Sequence, residues 1–370
     1  MSSESTLTPE KFLGLSADIA YRLSGRAFDP RMLLDLILEG AVRVPCAEEV
    51  LTKAISIVRT GYGDQRRKLG PLAVVHPLRV AALLSFITKD PTVMDLLSAI
   101  LHDKDEDLTS EQIGENQWDA MQKEMQELTQ YLDCNHRWFL GERINLLTCR
   151  KDEEYCTYLA QLLQHSIQMP DLLRVKLADR LDNTLDIGVS QHGIPGNGIF
   201  GTIFNLLFLP DYKGTSLPSS YVPITEDEGV QILANLFKNA EFLSLLRSEK
   251  TPLEGTTRHL HTTLIRASIR IAQYLIQDTF VFLSPSEQRA AIADVHKYCQ
   301  LGGLQGIRVS ASQSLDGFFL SLYGTKKGRR DRLRQVFSKD KEYLARIGVV
   351  FLAVFSNFLA NSDYVIQGID

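Results

Sequence analysis

Apolar residues recur at helical spacing along most of the chain. Between residues 8 and 60, Leu, Ile and Val return every third or fourth position, and Asp29-Pro30 reads as an N-cap followed by proline in the first turn. The stretch Gly61 to Pro71 breaks the period with Gly, Arg and Lys and predicts a loop. From His76 the period resumes, with Val80, Leu83, Leu84 and Ile87 on one face. Asp90-Pro91 then opens a helix carrying Val93, Leu96, Leu97, Ile100 and Leu101, so that His102 and Asp103 fall at its end. A further helix is predicted from Asp171 to Leu185, where Leu172, Leu173, Val175, Leu177 and Leu181 surround polar Asp179 and Asn183. Residues 191–225 turn to Gly, Pro and Ser, and apolar periodicity returns through 230–300 and 333–360. Alternating strand segments are scarce. The expected fold class is all-α (mainly α): a helical lead-in over 1–50, a helical domain over 51–190, a linker or long loop over 191–225, and a helical accessory region over 226–370.

A chain of 370 residues, 44% hydrophobic and 23% charged, can bury one large core or two ordinary ones, and two domains are expected. Its formal net charge of −5 provides no global attraction to nucleic acid or to an anionic membrane, so no DNA or RNA partner is expected. Local basic residues must hold any anionic substrate. The five cysteines, Cys46, Cys134, Cys149, Cys156 and Cys299, form no CxxC pair and are odd in number, against a disulfide framework or structural zinc. With the polar start MSSESTLTPEKF, they point to the cytoplasm. The most apolar segment, Ile347 to Ala360, is too short for a bilayer crossing and contains Asn357, so it is read as a buried helix. The basic run Lys326 to Arg334 is read as a solvated loop and helix face, and His259 and His261, with no cysteine nearby, are not read as a metal site.

Chemistry concentrates in two segments. LHDKDED, Leu101 to Asp107, packs one histidine and four acids into seven positions at the end of an apolar helix. A solvated face explains such a cluster as readily as a site does, although acids are disfavoured at a helix C-terminus. The adjacent His102 and Asp103 narrow the choice, because neighbouring helix residues point apart and reach one ion together only at a kink or end. Divalent first-row metals accept imidazole and carboxylate together. VKLADRLDN, Val175 to Asn183, sets Asp179 on an apolar helix, where an unpaired carboxylate is costly; a metal or Arg180 would remove that cost.

Four blocks stand in order: GDQRRKLGPLAVVHPLRVA (Gly63 to Ala81), LHDKDED, LLTCRKDEEYCTYL (Leu146 to Leu159) and VKLADRLDNTLD (Val175 to Asp186). Over roughly residues 50 to 190 they resemble the HD superfamily of metal-dependent phosphohydrolases, in particular the RelA/SpoT-type (ppGpp) alarmone hydrolases and their small stand-alone relatives. The resemblance implies an HD-domain helical bundle and a divalent metal, usually manganese (Mn2+), held by His102, Asp103 and Asp179. It assigns Glu106 and Asp107 to positioning or deprotonating the attacking water. It lines a nucleotide pocket with the cationic loop Arg66, Arg67 and Lys68, with Thr148, Arg150, Lys151 and Tyr155 of the third block, and with Asn183, which lies four residues after Asp179 on the same helical face. His76, preceding a proline at a helix start, is read as structural.

At one position the chain departs from the resemblance. The family's first block begins with a histidine, its fourth ligand, fourteen positions before the His-Pro histidine, and here that position is Tyr62. Three readings of Tyr62 stay open: a three-residue metal site with an extra water, a phenolate ligand, or a site that has lost catalysis. The expected activity is hydrolysis of a nucleotide phosphate or pyrophosphate, such as a guanosine 3′,5′-bis(diphosphate) 3′-pyrophosphohydrolase performs. The alternative is a catalytically degenerate domain that binds or senses a nucleotide or serves as a scaffold. Residues 226–370 match no family, and pattern alone assigns them to shaping the pocket, to homo-oligomer formation or to sensing a partner.

Overall fold

The structure is a computed structural model that describes residues 9–24, 28–38, 45–67, 72–88, 91–189, 224–280, 282–300 and 328–366. It is all-α: among the described residues there is no strand, only one isolated antiparallel bridge, between Arg66 and Leu72. The chain divides into two compact units. The first comprises Met1–Glu153, Ala160–Leu185 and Pro252–His261; the second comprises Glu154–Leu159, Asp186–Thr251 and Thr262–Asp370. The Gly/Pro-rich stretch expected over 191–225 falls almost wholly outside the described residues.

The first unit begins with α1 (Pro9–Ser24), α2 (Pro30–Ile37) and α3 (Pro45–Tyr62). Asp29 caps α2 by accepting from Arg31 N–H, with Pro30 in the first turn, as the sequence predicts. Next come α4 (Val75–Ile87) and α5 (Val93–Leu101). α5 starts after Thr92, whose hydroxyl and the Asp95 carboxylate form a capping box, and not at Asp90-Pro91 as the dipeptide suggested. Two single turns, α6 (Lys104–Asp107) and α7 (Ser110–Ile113), lead into α8 (Glu115–Gln130) and α9 (Cys134–Leu147), and α10 (Tyr155–Ser166) and α11 (Pro170–Val189) follow.

Leu172, Leu173, Val175, Leu177, Ala178 and Leu181 of α11 are all buried, so this helix runs through the core instead of lying on it. A helix in that position must also bury polar residues, and three of its charged side chains find partners on three different neighbours. Asp171 receives Arg143 of α9, Arg174 reaches Asp95 of α5 at 2.6 Å, and Asp182 takes Arg79 of α4 at 2.7 Å. These pairs fix the rotation of α11 against α4, α5 and α9, which apolar contact alone leaves free.

The second unit contains α12 (Glu226–Ser248), most of α13 (Gly255–Phe280), α14 (Pro285–Gln300), α15 (Arg329–Ser338) and α16 (Lys341–Ala360). A Thr225/Glu228 capping box starts α12. The apolar segment expected from Ile347 begins one and a half turns earlier: α16 has 20 residues and by length and composition could cross a bilayer. It packs instead as a core helix, with Leu344, Ile347, Phe351, Leu352, Phe355 and Phe358 buried. Phe351 meets Phe237 of α12 edge to face at 5.0 Å, and Arg247 donates to the Phe358 and Asn361 carbonyls, satisfying the helix C-terminus.

α15 lies against α12 at Gly229, where a β-carbon would stand 1.8 Å from Phe337 Cε2. Gly229→Ala is therefore expected to destabilise the protein by about 1–3 kcal/mol through overpacking. Phe337→Leu in the same chain should recover part of that loss, as measured by denaturant unfolding; equal stability of Gly229→Ala and the parent would contradict the close approach.

Candidate metal centre

Three elements of the first unit meet at one point. α4 brings His76 in its first turn, the α5–α6 junction brings His102 and Asp103, and the middle of α11 brings Asp179. The junction explains how two adjacent residues serve one site. His102 still has helical backbone (φ −58°, ψ −38°), while Asp103 turns out of it (φ −91°, ψ 2°). The Asp103 carboxylate thereby swings back towards its neighbour's ring, with Oδ1 3.1 Å from His102 Nε2.

Both imidazoles are held in a defined tautomer. His102 Nδ1 lies 2.8 Å from the Ala99 carbonyl oxygen, which only accepts, so this nitrogen carries the proton and Nε2 the lone pair. His76 Nδ1 lies 2.6 Å from Asp182 Oδ2, a carboxylate–imidazole pair of the kind that orients metal-binding histidines. His76 Nε2 then faces Asp103 Oδ2 at 3.1 Å and Asp179 Oδ1 at 3.3 Å, and His102 Nε2 lies 3.7 Å from the same Asp179 oxygen. The rings stand edge to face, 5.1 Å apart.

Ligand atoms of His76, His102 and Asp103 all lie within 4.8 Å of one another. His102 Nε2 is buried and makes no hydrogen bond, its approach to Asp103 Oδ1 being badly angled for one. Two lone-pair nitrogens aimed at two carboxylates repel unless a cation lies between them, so the donor set fits a divalent metal. Protons serve the same need. Burial and Arg67 act to lower His76, but its hydrogen bonds with Asp103, Asp179 and Asp182 outweigh them and push it up to about 9. Burial likewise opposes charge on Asp103 and Asp179, yet His102 and His76 beside the first and Lys176 beside the second hold both below the usual carboxylate range.

Around this centre the other site residues fall into place unevenly. Glu106 accepts from the backbone N–H of Cys149, so the third sequence block reaches the acidic cluster through its main chain. Asp107 Oδ2 accepts from Tyr62 Oη at 3.1 Å. Burial and the Asp103 charge raise both Glu106 and Asp107 above the ordinary carboxylate value, as suits groups that take up a proton. Asn183 donates to Asp179 Oδ1 at 2.6 Å and accepts from Arg67 at 2.6 Å, so Arg67 is tied to α11. Arg66 is exposed, and Lys68 lies outside the described residues. Thr148 donates to the Ile144 carbonyl, Arg150 to Asn145, and both Arg150 and Lys151 are exposed. Tyr155 belongs to the second unit, under the Lys238 ammonium and beside Tyr158.

Two residues take partners in the fold that the sequence did not indicate. His76, read as structural, faces the carboxylates that His102 faces, whereas Tyr62, held as the doubtful fourth ligand, turns to Asp107 and stands outside the group. The reason is tertiary: α11 places Asp182 where it captures His76 Nδ1 and aims the other nitrogen inward. Sequence reasoning also passed over Asp182, Arg79 and Lys176. One signal was available, since His76/Arg79 and Asp179/Asp182 are both i,i+3 pairs flanked by apolar residues on predicted helices, where unpaired polar groups are costly.

No protein-family profile matches the chain. Over 147 residues it is 27% identical to a guanosine-3′,5′-bis(diphosphate) 3′-pyrophosphohydrolase of Aquifex aeolicus (strain VF5), covering 39% of this chain and 19% of that protein. The chain thus spans about a fifth of that relative's length.

Asp182 is fully buried and Arg79 only 1% exposed, so removing the carboxylate strands a guanidinium. Asp182→Ala is expected to cost about 3–5 kcal/mol in denaturant unfolding at neutral pH. Although burial works against it, Arg79 and His76 hold the Asp182 carboxyl at about 2. Its folded value lies below the unfolded one of about 3.9, so its contribution is complete above that value and disappears as pH falls towards 2. Asp182→Asn should flatten that part of the acid limb, and an unchanged limb would contradict the pairing.

Proposed function

We propose that the chain is a metal-dependent phosphohydrolase acting on a nucleotide phosphate or pyrophosphate, with a guanosine 3′,5′-bis(diphosphate)-like compound as the preferred substrate class. The observation that carries the reading is the pair of tautomer-fixed imidazoles, His76 and His102, aimed at Asp103 and Asp179. The distant likeness to a pyrophosphohydrolase supports the substrate class. His76, His102, Asp103 and Asp179 hold the ion, a divalent first-row metal that accepts imidazole and carboxylate together, with the Mn2+ that the resemblance implies as the first candidate. When bound, such an ion neutralises charge on phosphate oxygens and acidifies the attacking water.

The remaining steps belong to the protein. Asp107, raised by its surroundings, takes the proton of the attacking water; Glu106, fixed by the Cys149 N–H, stands beside it and orients that water. Asn183 and Lys176 hold Asp179 from two sides, the lysine ammonium 3.0 Å from Oδ2. Arg66 and Lys68 are the proposed cationic partners of the phosphates, with Arg150 and Lys151 at the third block; Arg67 is retained by Asp182 and Asn183 and acts by holding them. The alternative, a degenerate domain that senses a nucleotide or serves as a scaffold, draws its motive from Tyr62 and from the unmatched C-terminal region; His76 beside His102 and Asp103 favours the hydrolase reading.

Elemental analysis of the purified chain should find a divalent transition metal, and a nucleotide panel assayed with Mn2+ should yield released phosphate or pyrophosphate. His76→Ala should lose metal and turnover together. Folded, metal-loaded protein that hydrolyses no member of the panel would refute the proposal.

A further inference from the structure

Tyr62 is the departure from the resemblance that the metal-holding group leaves without a task. It is the last residue of α3, 3% exposed, and its phenol points at the acidic turn α6. Three features fix it there. Gln117 of α8 donates from Nε2 to the carbonyls of Thr60 at 2.8 Å and Gly61 at 3.0 Å, clamping the last turn of α3. A β-carbon at Gly61 would lie 2.6 Å from Leu108 Cδ1 and 2.8 Å from Met121 Sδ, so α3 approaches Leu108, the neighbour of Asp107, more closely than any other residue permits. Gly63, at φ +53°, ends the helix directly after the tyrosine, and Arg59 donates to its carbonyl.

We propose that Tyr62 is a positioning residue: its O–H holds the Asp107 carboxylate by Oδ2 and leaves Oδ1 to receive the proton of the attacking water. α6 is one turn long and cannot fix its own last side chain, so the carboxylate needs an outside partner. The phenol donates to Asp107 Oδ2, and burial and the charges of Asp103 and Asp107 raise it well above its ordinary value, as suits a neutral donor. A tyrosine that merely filled the core would be replaceable by phenylalanine, and that distinction makes the idea testable.

The inference rests on the reading of Asp107 as proton acceptor. Tyr62→Phe should keep the parent's fold and metal stoichiometry, with KM unchanged and kcat reduced about tenfold or more, the value of a hydrogen bond to a charged group. In an Asp107→Asn background the same change should have no further effect, because Tyr62 acts through that carboxylate. Loss of metal from Tyr62→Phe would make the phenol a ligand; unchanged kcat, or losses that add in the double variant, would make it a packing residue. Each result overturns the inference. Should Tyr62→Phe fail to fold, Gln117→Met, which frees the end of α3, should lower kcat in the same sense, and an unchanged kcat again overturns it. If the folded, metal-loaded parent hydrolyses nothing, the functional reading falls by itself. Crystal structures of the parent and Tyr62→Phe then decide: a displaced Asp107 carboxylate supports positioning, and an unmoved one overturns it.

Discussion

The buried carboxylate of Asp182 organises the first unit. It takes two nitrogens of Arg79, at 2.7 and 3.0 Å, and one of His76, at 2.6 Å, and it has no solvent exposure. A carboxylate and a guanidinium taken fully out of water repay their desolvation only when their geometry is good and the remaining hydrogen-bonding capacity is used. Here the third partner is the imidazole, so the buried ion pair and the candidate site share one group. The packing that neutralises Arg79 also selects the His76 tautomer that turns a lone pair towards Asp103 and Asp179.

The centre gathers more negative charge than its surroundings can tolerate alone. Asp103, Asp179, Glu106 and Asp107 approach from two elements, opposed by Lys176, by Arg67 and by whatever charge the two imidazoles carry. The carboxylates divide accordingly. Those against the imidazoles are held ionised, while Glu106 and Asp107, one step out, feel Asp103 as a like charge and are raised. Within the short run from Asp103 to Asp107, lowered and raised carboxyls are thereby separated by position.

The second unit solves a simpler problem. Its longest apolar helix, Lys341–Ala360, has the composition of a membrane span, yet its buried face packs against aromatic and aliphatic side chains and Arg247 caps its carbonyl end. Glu241, buried beside Cys156, shows that ionisable groups are tolerated here as well, at the cost of a carboxyl raised by desolvation.

Periodicity by itself determined the all-α class, the helices that carry the site and the placement of His102 and Asp103 at a helix end, because each depends on local spacing and on residues within a turn. It located α2 through Asp29-Pro30 but placed the start of α5 at Asp90-Pro91, whereas the Thr92/Asp95 box begins it. The ends of α16 were blurred because Lys341 and Glu342 are polar, although their helical position is fixed by the Asp340 cap. Partnership across the fold was not legible. That His76 faces Asp103 and Asp179 while Tyr62 turns to Asp107 follows from Asp182 arriving over a hundred residues later on α11 and from Gly61 letting α3 close on Leu108. Local sequence sets which groups can bond, but only packing decides which of their nitrogens and oxygens meet.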